Sequence, residues 1–392
     1  MVLSAVFCDS VMLGSSSDCE DCVDLRVALD MLFDLYDAPD DFEYHFKAGA
    51  APLRFFLAYA ASQKAFHGII NCDAHLKTRP LQPLIEALRK AGARIECLER
   101  EGFPPLKVKG SDIEGLDGSF GIEQSSQFTS ALMMASLIWD KEYLPPKGAS
   151  IVSGPYVEMT RKMIAQFKKI DDEAEAKGYP IIYNVEKDWS AASYFYELIL
   201  ADPSKKITFD SLVAPAESLQ GDSRCAEIFA RAGVRTIYKE DGRVEISADE
   251  EKIKSLAEAD DLLSFDLCDT PDLVPALAVG LCLAGIRFTI SGIGHLKFKE
   301  SDRLSVLSKE MARAGYLLRV DESSLSWEGK RVDPDPSRRF DSHDDHRIAM
   351  ALSILTVRLG KIRISKSNCV AKSFPRFFEE LEKTGIEMPI LG

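Results

Sequence analysis

The sequence predicts an α/β protein of two domains built from repeated units, on three observations. At 392 residues it is longer than one ordinary hydrophobic core organises. Hydrophobic residues make up 46% and charged residues 28%, ample for core formation in a soluble globular chain. The third observation is an internal echo of amphipathic helix, Ala-Gly and strand. It runs from Leu84 to Ile95 around Ala91-Gly92, from Ala226 to Arg235 around Ala232-Gly233, and from Leu307 to Tyr316 around Ala314-Gly315. In each copy the glycine stands where the helix stops, a position that favours left-handed backbone angles. Helix-glycine-strand is common in any α/β protein, but three copies spread over both halves point to a repeated βαβ-type unit.

Taken in order, Met1 to Leu13 is apolar enough to suggest a signal peptide. It has no basic lead-in and Asp9 interrupts it, so that reading is set aside. Asp37-Ala38-Pro39-Asp40-Asp41 reads as a turn. Leu81, Leu84, Ile85 and Leu88 fall at helical spacing after Pro80, a residue tolerated at a helix start. An apolar helix is expected from Phe128 through Ile138, and a solvated helix end from Lys168 to Gly178. The domain crossing is placed near Tyr183 to Lys187, before a helix-like run from Ser190 to Leu200. Asp272 precedes the apolar run Leu273 to Leu281 and reads as a helix opening. Two apolar stripes follow charged motifs directly: Leu304, Leu307 and Met311 after Lys299-Glu300-Ser301-Asp302-Arg303, and Ile348, Leu352 and Leu355 after Asp345-His346-Arg347.

Bulk properties exclude several classes. A net charge of −14 argues against a nucleic-acid or anionic-membrane binder, and no stretch reaches the ~18 apolar residues of a membrane span. The nine cysteines are scattered and odd in number, which fits a reducing cytosol, so a cytoplasmic location is expected. Cys19-x-x-Cys22 is at most half a zinc site, and no second pair or histidine cluster completes it, so no metal is expected.

The chemistry concentrates at helix openings, where free N–H groups and the helix dipole favour anions. Arg79, Arg303, Arg347 and Lys372 are each placed at a turn beside a helix. Arginine forks converging on one cleft suit a phosphorylated acid, although any one of them alone reads as solvated surface. Asp272 is either an N-cap or a catalytic carboxylate. Glu300, between Lys299 and Arg303, is either a surface ion pair or a proton shuttle. Gln124-Ser125-Ser126-Gln127 before an apolar helix offers a phosphate cradle or plain capping.

Together these motifs resemble the enolpyruvyl transferase family, in its shikimate-directed branch. The resemblance runs from about Ser17 to near the C-terminus. Its anchors are Lys299-Glu300-Ser301-Asp302-Arg303, Asp345-His346-Arg347-Ile348-Ala349-Met350-Ala351 and Ala371-Lys372-Ser373-Phe374-Pro375. Arg79-Pro80, Ser125-Ser126-Gln127-Phe128, Pro155-Tyr156-Val157-Glu158-Met159-Thr160 and Ser190-Ala191-Ala192-Ser193-Tyr194-Phe195 support it. The resemblance implies a two-domain, inside-out α/β barrel-like (α+β) fold of βαβαββ repeats. Its N-terminal lobe would span residues 14–186 and its C-terminal lobe residues 187–392, residues 1–13 being a remnant of the second lobe's first strand. The active site would lie in the interdomain cleft.

The implied reaction moves the enolpyruvyl group of phosphoenolpyruvate onto the 5-hydroxyl of shikimate 3-phosphate, with no cofactor, in a monomer. By resemblance, Arg79, Arg303, Arg347 and Lys372 bind phosphoenolpyruvate, and Ser125, Ser126, Gln127, Ser153, Tyr156 and Lys299 hold shikimate 3-phosphate. Asp272 and Glu300 move protons, with Lys372 and His346 among the catalytic groups, and His295 stands where an asparagine usually touches substrate. The sister transferase acting on UDP-N-acetylglucosamine, and a relative that binds without turnover, are the alternative readings. Two further departures bear on activity. The family's N-terminal Ser-Lys-Ser-x-Ser-x-Arg segment has no counterpart in Met1 to Gly14, and no lysine precedes Lys47. In Lys47-Ala48-Gly49-Ala50-Ala51-Pro52-Leu53-Arg54, Ala50 and Ala51 replace the family's glycine and threonine if Arg54 sets the register. In this family such an alanine goes with tolerance of glyphosate.

Overall fold

The computed structural model describes residues 1–14, 18–34, 42–117, 125–145 and 153–392. The turn expected at Asp37 to Asp41, and Gln124, lie outside the described residues. The chain divides into two compact units, Met1–Val185 and Glu186–Gly392.

Unit 1 begins with a short helix α1 (Val2–Val6) and a strand, Val11–Leu13, that pairs in parallel with Ile181–Tyr183. Residues 1–13, expected as a remnant of the second lobe's first strand, are therefore built into unit 1 instead: Val2, Leu3 and Val11 are buried there. Helix α2 (Glu20–Asp34) leads to a four-stranded sheet in the order Glu43–Phe46, His67–Cys72, Leu106–Lys109, Arg94–Cys97. The first pair is parallel and the others antiparallel. Helix α3 (Ala50–Ala61) crosses between the parallel strands, and α4 (Gln82–Lys90) leads into the edge strand. The run is thus βαβαββ. Helices α5 (Ser126–Ala135) and α6 (Gly154–Lys177) follow, α6 stopping at Gly178 in the left-handed region.

Unit 2 repeats the plan. After α7 (Trp189–Ala201) comes a three-stranded antiparallel sheet in the order Lys206–Phe209, Val244–Ala248, Val234–Tyr238. Helix α8 (Cys225–Arg231) precedes its edge strand and α9 (Glu250–Glu258) follows its middle one. A four-stranded sheet then runs Leu263–Asp266, Phe288–Ser291, Leu325–Trp327, Arg319–Val320, with α10 (Val274–Ala284) and α11 (Arg303–Arg313) as its helices. Pairing is again parallel, antiparallel, antiparallel. A parallel sheet of Arg339–Asp341, Arg363–Ser365 and Ile390–Leu391 and helix α12 (His346–Ser353) complete the unit.

The three sequence echoes fall at the same place, the helix before the antiparallel edge strand. Gly92, Gly233 and Gly315 have φ of +111°, +100° and +95°, angles an L side chain resists. A helix apolar all round must be enclosed, and Val274 through Leu283 of α10 are all buried. Helix α10 packs on α7, itself buried but for one residue, and sheets cover the pair. Among the described residues, no helix is long and apolar enough to cross a membrane.

Close approach of α7 and α10 depends on Gly280. A Cβ there would sit 3.2 Å from Leu200 Cδ1 and 3.4 Å from the Glu197 Cα and Cγ atoms. Gly280→Val should therefore destabilise unit 2 by about 1–3 kcal/mol through overpacking, read as a lowered urea midpoint with an unchanged slope.

Candidate active site

The centre of the unit 2 site is Arg303, the first residue of α11, only 1% exposed. Its Nε donates to Asp345 Oδ2 at 2.8 Å, Nη1 to Asp272 Oδ1 at 2.8 Å and Nη2 to Glu300 Oε2 at 2.5 Å. Local sequence explains how three acids arrive together. Asp302 caps α11, accepting from Ser305 N at 3.2 Å, so the turn before it folds back and Glu300 meets Arg303 three residues on. Asp345 caps α12 by accepting from Arg347 N at 3.0 Å, and also accepts from Ser301 Oγ at 3.0 Å. Asp272 sits in the turn Pro271–Leu273 that leads into α10. It does not cap that helix; it accepts from Arg303, faces Arg347 Nη2 at 2.9 Å and lies 3.9 Å from Lys299 Nζ. Lys372 closes the 3-10 helix Ser367–Lys372 rather than opening a helix, and reaches Glu300 Oε1 at 2.5 Å.

These contacts set the charge states. Burial would raise the Glu300 pKa, but Arg303 and Lys372 hold it well below the usual carboxylate range. Asp272 behaves alike: burial opposes its charge, and Arg347, Lys299 and Arg303 outweigh burial. Burial works against the Arg303 cation too, yet Asp345, Glu300 and Asp272 keep it charged. Lys299, Arg303, Arg347 and Lys372 thus face Asp272, Glu300 and Asp345, leaving the cluster one positive charge. His346 opens α12, 5% exposed, with Nδ1 unpartnered; burial pushes its pKa down to about 3, so the imidazole is neutral. His295, in the turn Gly294–Phe298, has an unpartnered Nε2 and a pKa lowered by burial and then by Lys299. Ligand atoms of Glu300, Asp345 and His346 lie within 4.8 Å of one another, a spacing a metal ion could use. Both carboxylates already face the Arg303 guanidinium, which would repel such an ion.

Four neighbours escaped the sequence reading as site residues. Asp345 was legible as part of its motif but not as the fully buried anchor of Arg303. Asp222 is buried, accepts from Ser190 Oγ, and has a pKa raised to about 6 by burial and by Asp272. Tyr194 and Glu197 are buried on α7 with unpartnered oxygens, and burial pushes the pKa of both above its ordinary value. No spacing signals these three, because their neighbours come from distant parts of the chain.

Unit 1 carries a second cationic cluster. Arg54 of α3 donates from Nη1 to Gln127 Oε1 at 2.6 Å and from Nη2 to the Pro80 carbonyl at 3.4 Å, and stacks on Phe128 at 4.7 Å. Burial, then repulsion from Arg79, lowers the Arg54 pKa to about 10. Ser125 caps α5, its hydroxyl accepting from Gln127 N at 3.3 Å, and Ser126 begins the helix, buried. Arg54, Arg79, Gln127 and the α5 opening are thus brought together. The sequence marks Arg54 only as the register point of its loop. Ser153 and Tyr156 belong to the start of α6, where Ser153 is left-handed at φ +55°. One turn on, Thr160 Oγ1 donates to Ser130 Oγ of α5 at 2.8 Å, tying the two helix starts together.

Repeated βαβαββ sheets around buried helices, with helix openings that gather cations and carboxylates, define the enolpyruvyl transferase fold. The family model described as EPSP synthase (3-phosphoshikimate 1-carboxyvinyltransferase) matches residues 26–381. A 3-phosphoshikimate 1-carboxyvinyltransferase of Bacteroides fragilis is 33% identical over 383 residues, covering 95% of this chain and 90% of that protein. One from Syntrophobacter fumaroxidans is 35% identical over 318 residues, 79% of this chain and 72% of that one. An EPSP synthase structure from Acinetobacter baumannii has the same fold, with a TM-score of 0.68 at 19% identity over 98% of this chain and 93% of that one. The chain belongs to the EPSP synthase family.

Arg303→Met should leave buried Asp345 and the partly buried Asp272 and Glu300 facing an apolar side chain and cost roughly 3–5 kcal/mol, measured by urea unfolding. The acid limb of stability tests His346. Unfolded, it titrates at 6.5; folded, at about 3. Below pH 6.5 the unfolded chain therefore gains a proton that the folded chain refuses, and stability falls as pH drops. His346→Asn should lose less stability than wild type between pH 7.5 and pH 5.

Proposed function

We propose that this chain transfers the enolpyruvyl group of phosphoenolpyruvate to the 5-hydroxyl of shikimate 3-phosphate and releases phosphate. The observation that carries the reading is the Arg303 cluster, in which cations exceed carboxylates and both kinds of group are held ready. Phosphoenolpyruvate offers a carboxylate and a phosphate. Arg347 and Lys372, with Arg79 in unit 1, bind these anions. Arg303 acts by fixing Asp272 and Glu300, since three carboxylates already take four of its five donors. Ser125, Ser126, Gln127, Ser153 and Tyr156, with Lys299 and His295 of unit 2, hold shikimate 3-phosphate. Arg54 stiffens the unit 1 set through Gln127.

In the proposed steps Asp272 takes the proton of the 5-hydroxyl as its oxygen attacks the enol carbon, and the methylene carbon gains a proton from Glu300. Glu300 is ionised while Lys372 and Arg303 face it. Substrate anions that draw Lys372 away raise its pKa, which makes it a proton donor when substrate is bound. The tetrahedral intermediate then loses phosphate, which carries off the hydroxyl proton held by Asp272, and returns the methyl proton to Glu300. Neutral His346, in electrostatic contact with Glu300, keeps that proton within the cluster.

The test is phosphate release from phosphoenolpyruvate, measured with and without shikimate 3-phosphate. Release only in its presence is expected; release without it, or calorimetric binding of both ligands with no release, would overturn the reading. Glu300→Gln should lower kcat about 10²- to 10⁴-fold with a smaller change in KM, because the amide keeps the shape and loses the proton.

A further inference from the structure

The Cys19-x-x-Cys22 pair in unit 1 plays no part in the proposed reaction, yet its placement is specific. Cys19 directly precedes α2, and its carbonyl accepts from Cys22 N and Val23 N at 3.0 Å each. Cys19 and Cys22 therefore hold the two positions whose side chains meet across a helix opening, those that a capping box fills with Ser and Glu. The thiols do meet: the Cys22 sulfur is hydrogen-bonded to that of Cys19. Residues three apart on a helical turn have Cα atoms about 5 Å apart, inside the ~4.4–6.8 Å range that disulfides span. Cys19 is buried and Cys22 half-buried, so Cys22 is the more accessible of the pair and Cys19 stands behind it.

We propose that Cys19 and Cys22 form a reversible intrachain disulfide, a dithiol switch at the opening of α2. The oxidant is a small or protein disulfide such as glutathione disulfide. A thiolate at Cys22 attacks one sulfur of the oxidant and releases the first thiol. Cys19 then attacks the Cys22 sulfur and the second thiol leaves, so two cysteine thiols and one disulfide become one cysteine disulfide and two thiols. The switch lies where it is felt. Asp21, between the cysteines, has its carboxylate against Gly49, close enough that a Cβ there would fall 2.1 Å from Oδ1. Asp24, two residues on, accepts from Lys47 N at 2.6 Å and Ala48 N at 2.8 Å. The turn the disulfide would clamp thus carries the loop that opens α3, the helix of Arg54.

The experiment uses the full chain with Cys8→Ser, which removes the other thiol from the tryptic peptide ending at Arg26. After incubation with glutathione disulfide, that peptide should lose two hydrogens and resist iodoacetamide, and dithiothreitol should restore both thiols. Exchange should quicken from pH 7 to pH 9, because the Cys19 contact, followed by burial, raises the Cys22 pKa above its ordinary value. Adding Cys19→Ser should instead trap a lasting glutathione adduct on Cys22; Cys19→Ala serves if serine is not tolerated there. A glutathione adduct that persists beside an alkylatable Cys19 in the intact pair, a bridge between two chains, or a pair that stays reduced would each overturn the proposal. The readout is a covalent mass, so it stands or fails separately from enolpyruvyl transfer.

Discussion

A guanidinium buried to 1% exposure needs compensating charge, and the way Arg303 obtains it organises unit 2. Its three carboxylates come from three separate openings: the turn before α10, the turn before α11 and the cap of α12. Each acid would resist burial alone, and together with Arg303 they are mutually stabilised. Three helix starts are thereby held at one point. Arg347 and Lys372, one residue after the Asp345-His346 pair and at the end of a 3-10 helix, are fixed in turn by Asp272 and Glu300. A half-satisfied version of this network would be worse than none, because a buried unpaired charge costs several kcal/mol.

The fold supplies these openings by repetition. Both four-stranded sheets run βαβαββ with one parallel and two antiparallel pairings. Burying apolar helices inside and sheets outside leaves the helix starts as the places where polar groups can gather without breaking the core. Unit 1 follows the same logic with less charge: Arg54, Arg79 and Gln127 meet at the opening of α5. The proposed function gives both clusters one context, anion handling, although two solved EPSP synthase structures of the same fold share only 19% of residues with this chain.

Much of this was legible in the chain. Three Ala-Gly stops announced the repeat, and all three glycines take positive φ at the same step of their sheets. Lys299 to Arg303 and Asp345 to Arg347 were legible as helix openings because capping acids and apolar stripes are local signals. The bland reading of Asp272 as an N-cap was equally local, and it fails because the carboxylate turns to Arg303 and Arg347. Lys372 was placed beside a helix start, whereas it ends a 3-10 turn; its contact with Glu300 spans 72 residues and has no local trace.

By itself, then, the sequence determined the repeat, the helices and the residue types at their mouths, since periodicity, caps and glycine stops act over a few residues. The tertiary structure alone decided which charges meet. Asp222, Tyr194 and Glu197 look ordinary in the chain and become buried acids and a buried phenol beside the site. Arg303 changes from one surface cation among many into the centre of a network. The physical reason is burial: a charge's partners and pKa depend on what the fold packs around it, which no stretch of neighbouring residues specifies.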